Sequence, residues 1–296
     1  MALLLPLTAA GLVNNSAILD AAFIPSCSDK TMNFDDYLQH CHTHDSLIID
    51  SSWGQGRTTF GGLSAALLLH KIEQQQSNDD ILRSLSVSFC GALLTEKDCE
   101  LRTQTLRLGK SVGHFQGQAL QEQNLVTQIM ACYGKNRESS IQVAPENKTL
   151  AEPGTGKRIP YIKGITPEFT QHIDFAYSAG GLPFSNSKEN HLHGWMRFKD
   201  VQGFLTNAHL VALIDAWPPA IIQKLKGPTP CATVTWSLDF VQPLTSLATP
   251  LSSATWLWYE VEISQASQGY GHSQAKIYSP NGQLLVQSHQ LVVAYA

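Results

Sequence analysis

Residues Val201–Gln223, VQGFLTNAHLVALIDAWPPAIIQ, are largely apolar and hold one side chain that is ordinarily charged at neutral pH, Asp215. Leu210, Leu213, Ile214 and Trp217 recur at i, i+3, i+4 and i+7, the spacing of one helical face. Val211, Ala212 and Ala216 make the other faces apolar as well, so this helix is expected to be wrapped by protein on nearly every side. A carboxylate in such a helix is costly unless hydrogen bonds or a charged partner compensate it. Asp215 is therefore the first candidate for chemistry. The competing reading makes it a structural acceptor for a neighbouring backbone N–H or a buried hydroxyl.

Around this stretch, the composition allows a sizeable core. Hydrophobic residues make up 43% of the 296 and charged residues only 15%, which argues against a disordered chain. A net charge of −4 offers no broad attraction to nucleic acid or to an anionic membrane. Six cysteines (Cys27, Cys41, Cys90, Cys99, Cys132, Cys231) include no C-x-x-C pair, which disfavours a zinc cage or a disulfide framework and fits a reducing, cytoplasmic setting. The opening MALLLPLTAAGLV lacks the basic start of a signal peptide and is too short to span a bilayer. Residues 1–32 read as a leader: an extension outside the fold, or an upstream misread start.

From Asn33 the chain reads as a helix or strand lead-in, then LIIDSSWGQGRTTFGGLSAALLLHKI, where glycines 54, 56, 61 and 62 punctuate a loop that feeds a second apolar helix from Leu63 to about Ile72. Four strands are expected next, within 82–89, 99–109 and 113–134. Residues 146–165 are polar and rich in Pro, Gly and Lys, and read as a linker between repeats at 33–145 and 166–296. The second series runs through FTQHIDFAYS, GWMRF (194–198), the Asp215 helix, CATVTWSLDF (231–240), WLWYEVEIS (256–264), GYGHSQAKIYS (269–279) and QLLVQSHQLVVAY (283–295). The two series share an order of lead-in, buried helix and four strands. Residues 113–119 line up with 269–275, and LSVSF (85–89) lines up with WSLDF (236–240). Such a repeat points to duplication of an α+β unit, with two copies joined in one sheet.

Several pieces of this order carry a resemblance: Thr59-Phe-Gly-Gly-Leu-Ser-Ala-Ala66, Gly113 with its strand, residues 167–175, Gly194-Trp-Met-Arg-Phe198, Leu213-Ile-Asp-Ala-Trp-Pro-Pro219, and the strands of Thr233 and Gln290. Over residues 33–296 the chain resembles the double-hotdog acyl-CoA thioesterases, the group that includes the bacterial type II enzyme. The resemblance implies an α+β double hotdog, two fused repeats that each wrap an antiparallel sheet around a central helix. It implies hydrolysis of acyl-CoA to free fatty acid and CoA, hence a role in fatty acid metabolism, by a water held between an acid, a hydroxyl and an amide. Carried over by position, these are Asp215, Thr233 and Gln290.

On a regular strand Thr233, Thr235, Ser237 and Asp239 share one face, a hydroxyl ladder that would meet the buried helix, with Thr235 as the fallback. Backbone N–H groups near Gly61 and Gly62 are the expected donors to the thioester oxygen. No cofactor or metal is expected: the H-x-H runs at 40–44 and 191–193 lack acidic or cysteine ligands at metal spacing, and no G-x-S-x-G elbow surrounds any serine. The expected partner is acyl-CoA, without nucleic acid or stable membrane insertion. The fused halves mimic a hotdog dimer, and further pairing into a homo-oligomer stays open. Two other readings stand beside hydrolysis: an acyl-CoA-binding protein without turnover, and an enoyl-CoA hydratase or dehydratase. The latter would want a paired His and Asp, whereas His209 and Asp215, six apart, lie on different helical faces.

Overall fold

The computed structural model describes residues 31–76 and 80–295. Nearly all of the leader expected at 1–32 lies outside the described residues. From Met32 onward the chain forms one compact unit. Its first part holds α1 (Phe34–Thr43), β1 (Ser46–Ile48), a small hairpin of β2 (Gly54–Gln55) and β3 (Thr58–Thr59), α2 (Gly61–Glu73), β4 (Ile81–Phe89), β5 (Asp98–Leu108), β6 (Val112–Gln121) and β7 (Asn124–Gly134). Its second holds β8 (Lys157–Ile159), β9 (Ile173–Ala179), β10 (His191–Phe198), α3 (Asn207–Ala216), β11 (Cys231–Phe240), β12 (Leu257–Ser267), β13 (Tyr270–Tyr278) and β14 (Leu284–Ala294).

Twelve of these strands make one sheet in the order β1-β5-β6-β7-β4-β11-β14-β13-β12-β10-β9-β8. The halves meet where β4 pairs antiparallel with β11, with Ser86 opposite Ser237, the two positions matched by the sequence repeat. In the first half β1 edges β5; in the second β10 edges β12, so the order of five strands recurs. The second half then adds β9 and β8, the latter contributed by the 146–165 stretch, which reads as a bare connection in the sequence but contains an edge strand.

Alternation of small or polar with large apolar residues lets this sheet bury one face on the helices. In β12, Leu257, Tyr259, Val261 and Ile263 are buried while Glu262 is exposed. The helices complete that core. In α2 every residue from Gly62 to Leu69 is buried, and in α3 every residue except Asn207 and Asp215. The Asp215 helix is shorter than its spacing suggests. It stops at Ala216, and Trp217 is extended at φ −69°, ψ 140°, because the ring of Pro218 clashes with a helical residue before it. The start of α3 is held by a capping box in which Thr206 accepts from His209 N–H, and His209 Nε2 lies 3.0 Å from Asp35 Oδ1 at the start of α1.

The two central helices run antiparallel. Gly62, near the start of α2, faces Ala212 and Asp215 near the end of α3, and Glu73, at the end of α2, accepts a 2.7 Å hydrogen bond from Asn207 Nδ2 at the start of α3. Burial pushes the Glu73 carboxyl up to about 7, the Asn207 bond opposing it only in part. A carboxyl raised this way favours its neutral form in the folded state. Its contribution to stability is present below the ordinary value near 4.5 and is lost as pH rises through about 7. Glu73→Gln is therefore expected to raise stability at pH 8.5 by an amount on the order of 1–3 kcal/mol, and to leave it nearly unchanged at pH 5. Thermal melts of both proteins at the two pH values check this; equal gains at both would mean that Glu73 does not titrate between them.

Candidate active site

Asp215 sits where the C-terminal turn of α3 meets the N-terminal turn of α2. Phe60 caps α2 without a side-chain hydrogen bond, so the first N–H groups of that helix need other partners. The amide of Gln290 donates to Asp215 Oδ1 at 3.2 Å, and the backbone N–H of Gly62 favours the charged form of the same carboxyl. The same Gln290 nitrogen donates to Thr233 Oγ1 at 2.9 Å. One carboxamide thus ties the helix acid to the strand hydroxyl. Burial pushes the Asp215 carboxyl up to about 7; the Gly62 N–H and the Gln290 amide pull it back only partly.

The approach is close enough to exclude side chains from the helix start. A Cβ on Gly62 would lie 2.5 Å from Phe60 Cζ, 2.9 Å from the Ala212 carbonyl oxygen and 3.0 Å from Asp215 Cβ. On Gly61 it would lie 2.9 Å from Phe89 Cε1 and 3.0 Å from Asp215 Oδ2. Aromatic rings surround the pair: Phe60 stacks on Phe169 with centroids 4.0 Å apart, and Trp217 stacks on Tyr259 at 5.3 Å.

The structure corrects two sequence expectations. The hydroxyl ladder does not face the helix. The register of β11 against β14 shifts between Thr233 and Thr235, so Thr233 pairs with Val292 and Thr235 with Leu291. This bulge at Val234 reverses the alternation. Thr233 then shares the inner face with Trp236, Leu238 and Phe240, while Thr235 and Asp239 are exposed on the outer one. Thr235 cannot substitute for Thr233. The second correction concerns the glycines. The N–H of Gly62 acts on the Asp215 carboxyl, which leaves Gly61 as the candidate donor of the two. Sequence reading also missed that Asp215 packs against the start of α2. An unsignalled helix start at Phe60-Gly61-Gly62, lacking any Ser, Thr, Asp or Asn, was the available clue.

Residues 49–134 match the acyl-CoA thioesterase N-terminal domain, and residues 144–294 match the acyl-CoA thioesterase C-terminal domain. The chain belongs to the acyl-CoA thioesterase family. Solved structures agree in fold. A hot dog fold protein of unknown function from Alicyclobacillus acidocaldarius is 23% identical with TM-score 0.72, covering 85% of this chain and 92% of that one. An acyl-CoA thioesterase II from Mycobacterium marinum is 15% identical with TM-score 0.61, covering 79% and 88%. The tesB protein of Mycobacterium avium subs paratuberculosis is 12% identical with TM-score 0.66, covering 90% and 100%. Among curated proteins, none matches the sequence.

Within this thioesterase-family fold the two halves are chemically unequal. A register shift in β4 between Leu82 and Ser84 repeats the bulge of β11 at the position the sequence alignment matches to it. Leu82 then stands where the second half has Thr233. Ala131, opposite Leu85 in the first half, stands where Gln290 lies opposite Trp236. Both replacements are buried and apolar. Among the described residues no helix is long and apolar enough to cross a membrane, and no group of three or more His, Cys, Asp or Glu is placed to hold a metal ion.

Proposed function

We propose that the chain hydrolyses acyl-CoA thioesters to free fatty acid and CoA through a water activated by Asp215 and oriented by Thr233 and Gln290. The single observation that carries the reading is the double donation of Gln290 to Asp215 and Thr233. With both amide hydrogens engaged, the Thr233 hydroxyl keeps its own hydrogen free to donate. A water can donate to Asp215, accept from Thr233 with one lone pair and aim the other at the carbonyl carbon. The water oxygen bonds to that carbon as Asp215 takes its proton, and the C–S bond then breaks with the proton passing to the departing sulfur. A carboxyl near 7 is poised for both halves of this exchange. The Gly61 N–H, at the positive end of α2, is the donor we assign to the developing oxyanion.

We assign the repeats to 33–145 and 166–296, joined through 146–165, and place the reaction in the second. Free cysteines 41, 90, 99, 132 and 231 favour a reducing, cytoplasmic setting, and the substrate class favours fatty acid metabolism. The reading without turnover draws on one observation, the packing of Asp215 against Gly62 at the start of α2, which a purely structural acid would also show. His209 is committed to Thr206 and Asp35, so it does not pair with Asp215 as the hydratase reading would need.

Release of free thiol from palmitoyl-, octanoyl- and acetyl-CoA by the purified chain tests the proposal directly. No release from any of them would remove it, and loss of crotonyl-CoA absorbance without thiol release would point to hydration. Within a hydrolase, Thr233→Val is expected to lower kcat by about tenfold or more, and Thr235→Val to leave it within about twofold. Equal effects of the two would contradict the placement of Thr233 beside the reacting water.

A further inference from the structure

The start of α2 carries two buried hydroxyls that the acid–hydroxyl–amide set does not use. Ser64 and Thr127 are each 2% exposed, and their side-chain oxygens lie 3.2 Å apart. Ser64 Oγ donates its single hydrogen to the carbonyl oxygen of Gly61 at 2.9 Å, so in the contact between the two hydroxyls it is Thr127 that donates. A relay thus runs from β7 through α2 to the peptide that joins Gly61 to Gly62. In a trans peptide the C=O and N–H point opposite ways, so holding the Gly61 carbonyl also aims the Gly62 N–H. The backbone of Ser64 steadies the preceding peptide. Its N–H and that of Leu63 reach the Phe60 carbonyl oxygen at 3.5 and 3.2 Å, which aims the N–H of Gly61. Two glycines in succession bring no side chain to hold these planes, and packing forbids one, because a Cβ on either would lie 3.0 Å from an atom of Asp215. Thr127 stands opposite Phe89, whose ring lies against Gly61. The other half shows that the fold does not require the pair. The fourth residue of α3 is Leu210, and opposite Phe240, the match of Phe89, stands Val286; both are buried and apolar. Hydroxyls occupy these places in the half whose helix start meets Asp215.

We propose that Ser64 and Thr127 are positioning residues of this site, a pair of hydroxyls that fixes the Gly61 and Gly62 peptides with their N–H groups toward the thioester oxygen and Asp215. The inference rests on the hydrolase reading and adds to it the device that holds its oxyanion donor still. A donor kept in place needs no reorientation when charge develops on the carbonyl oxygen, and that preorganisation is where rate is gained. Hydrogen bonds in a chain also polarise one another, so a carbonyl held by Ser64 makes its own peptide N–H a stronger donor toward the carboxylate. Neither hydroxyl touches the substrate or exchanges a proton with it.

Ser64→Ala is expected to lower kcat for octanoyl-CoA by about tenfold and to change KM less than about threefold. The acid limb of kcat/KM should move up by about half a pH unit, because a slackened Gly62 N–H favours ionised Asp215 less. Thr127→Val should lower kcat by about threefold, and Thr127→Ser, which keeps the hydroxyl, should stay within about twofold of wild type. The double variant Ser64→Ala/Thr127→Val leaves no hydroxyl unpaired, so it should melt near wild type and be no slower than Ser64→Ala alone. A merely structural pair would move melting and leave the acid limb where it was. If the double variant turns over within about twofold of wild type with its acid limb unmoved, while Asp215→Asn is inactive, the positioning role falls and the hydrolase reading stands. If wild type releases no thiol, or Asp215→Asn is as fast as wild type, both fall together.

Discussion

Asp215→Asn is expected to lower acyl-CoA turnover by about two or more orders of magnitude while raising thermal stability at pH 8. The asparagine is close in shape and can still accept from Gly62 N–H through its carbonyl oxygen, so the junction of α2 and α3 survives. What disappears is the base. The stability gain follows from the same burial that makes the acid useful. A carboxyl pushed up to about 7 contributes fully below its ordinary value near 4, and that contribution is lost as pH rises through 7. In the wild type, kcat/KM should fall tenfold for each pH unit below about 7, because only the ionised acid accepts a proton from water. Thiol release across pH 5–9 and melting curves at pH 8 measure both effects. An asparagine variant as active as wild type would make Asp215 a cap and nothing more.

Gly62→Ala should damage both the fold and the site. Replacing glycine by alanine inside a helix ordinarily stabilises by roughly 0.5–1 kcal/mol. Here the added methyl would lie 2.9 Å from the Ala212 carbonyl oxygen, which belongs to a buried helix and cannot swing away. The helices must part instead. We expect a net loss of about 1–3 kcal/mol, a drop in melting midpoint of roughly 2–4 °C per kcal/mol, and turnover reduced by about 10²-fold as Asp215 moves from Gln290. Gly61→Ala makes an informative contrast. Its methyl meets the Phe89 ring, which can turn, and Asp215 Oδ2, which it would cover. Activity should fall there with a smaller change in melting. Greater stability in Gly62→Ala would show that the helices are not in the contact described.

Much of the fold was legible in local patterns. Residues 231–240 alternate as a strand should and form β11 with those bounds. The run 63–72 lies within α2, extended by only Gly61, Gly62 and Glu73 at its ends. The lead-in at Asn33 was ambiguous between helix and strand. There a capping box with Asp36 decides for α1, a signal present in the sequence but modest beside the tie of Asp35 to His209 across the molecule.

The composition, the repeat and the apolar run around Asp215 were enough to determine a duplicated α+β chain with one acid in a greasy helix; the resemblance supplied Thr233 and Gln290 as its companions. Tertiary structure alone decided which hydroxyl faces that acid. A strand turns its side chains with period two, so one extra residue moves everything beyond it to the other face, and nothing in Ala-Thr-Val-Thr-Trp announces the bulge at Val234. It also decided that the first turn of α2 meets a carboxylate 153 residues away in the chain, between Gly62 and Asp215. Hydrogen-bond donors at a helix start take whatever acceptor packing brings to them, and sequence separation carries no information about that choice.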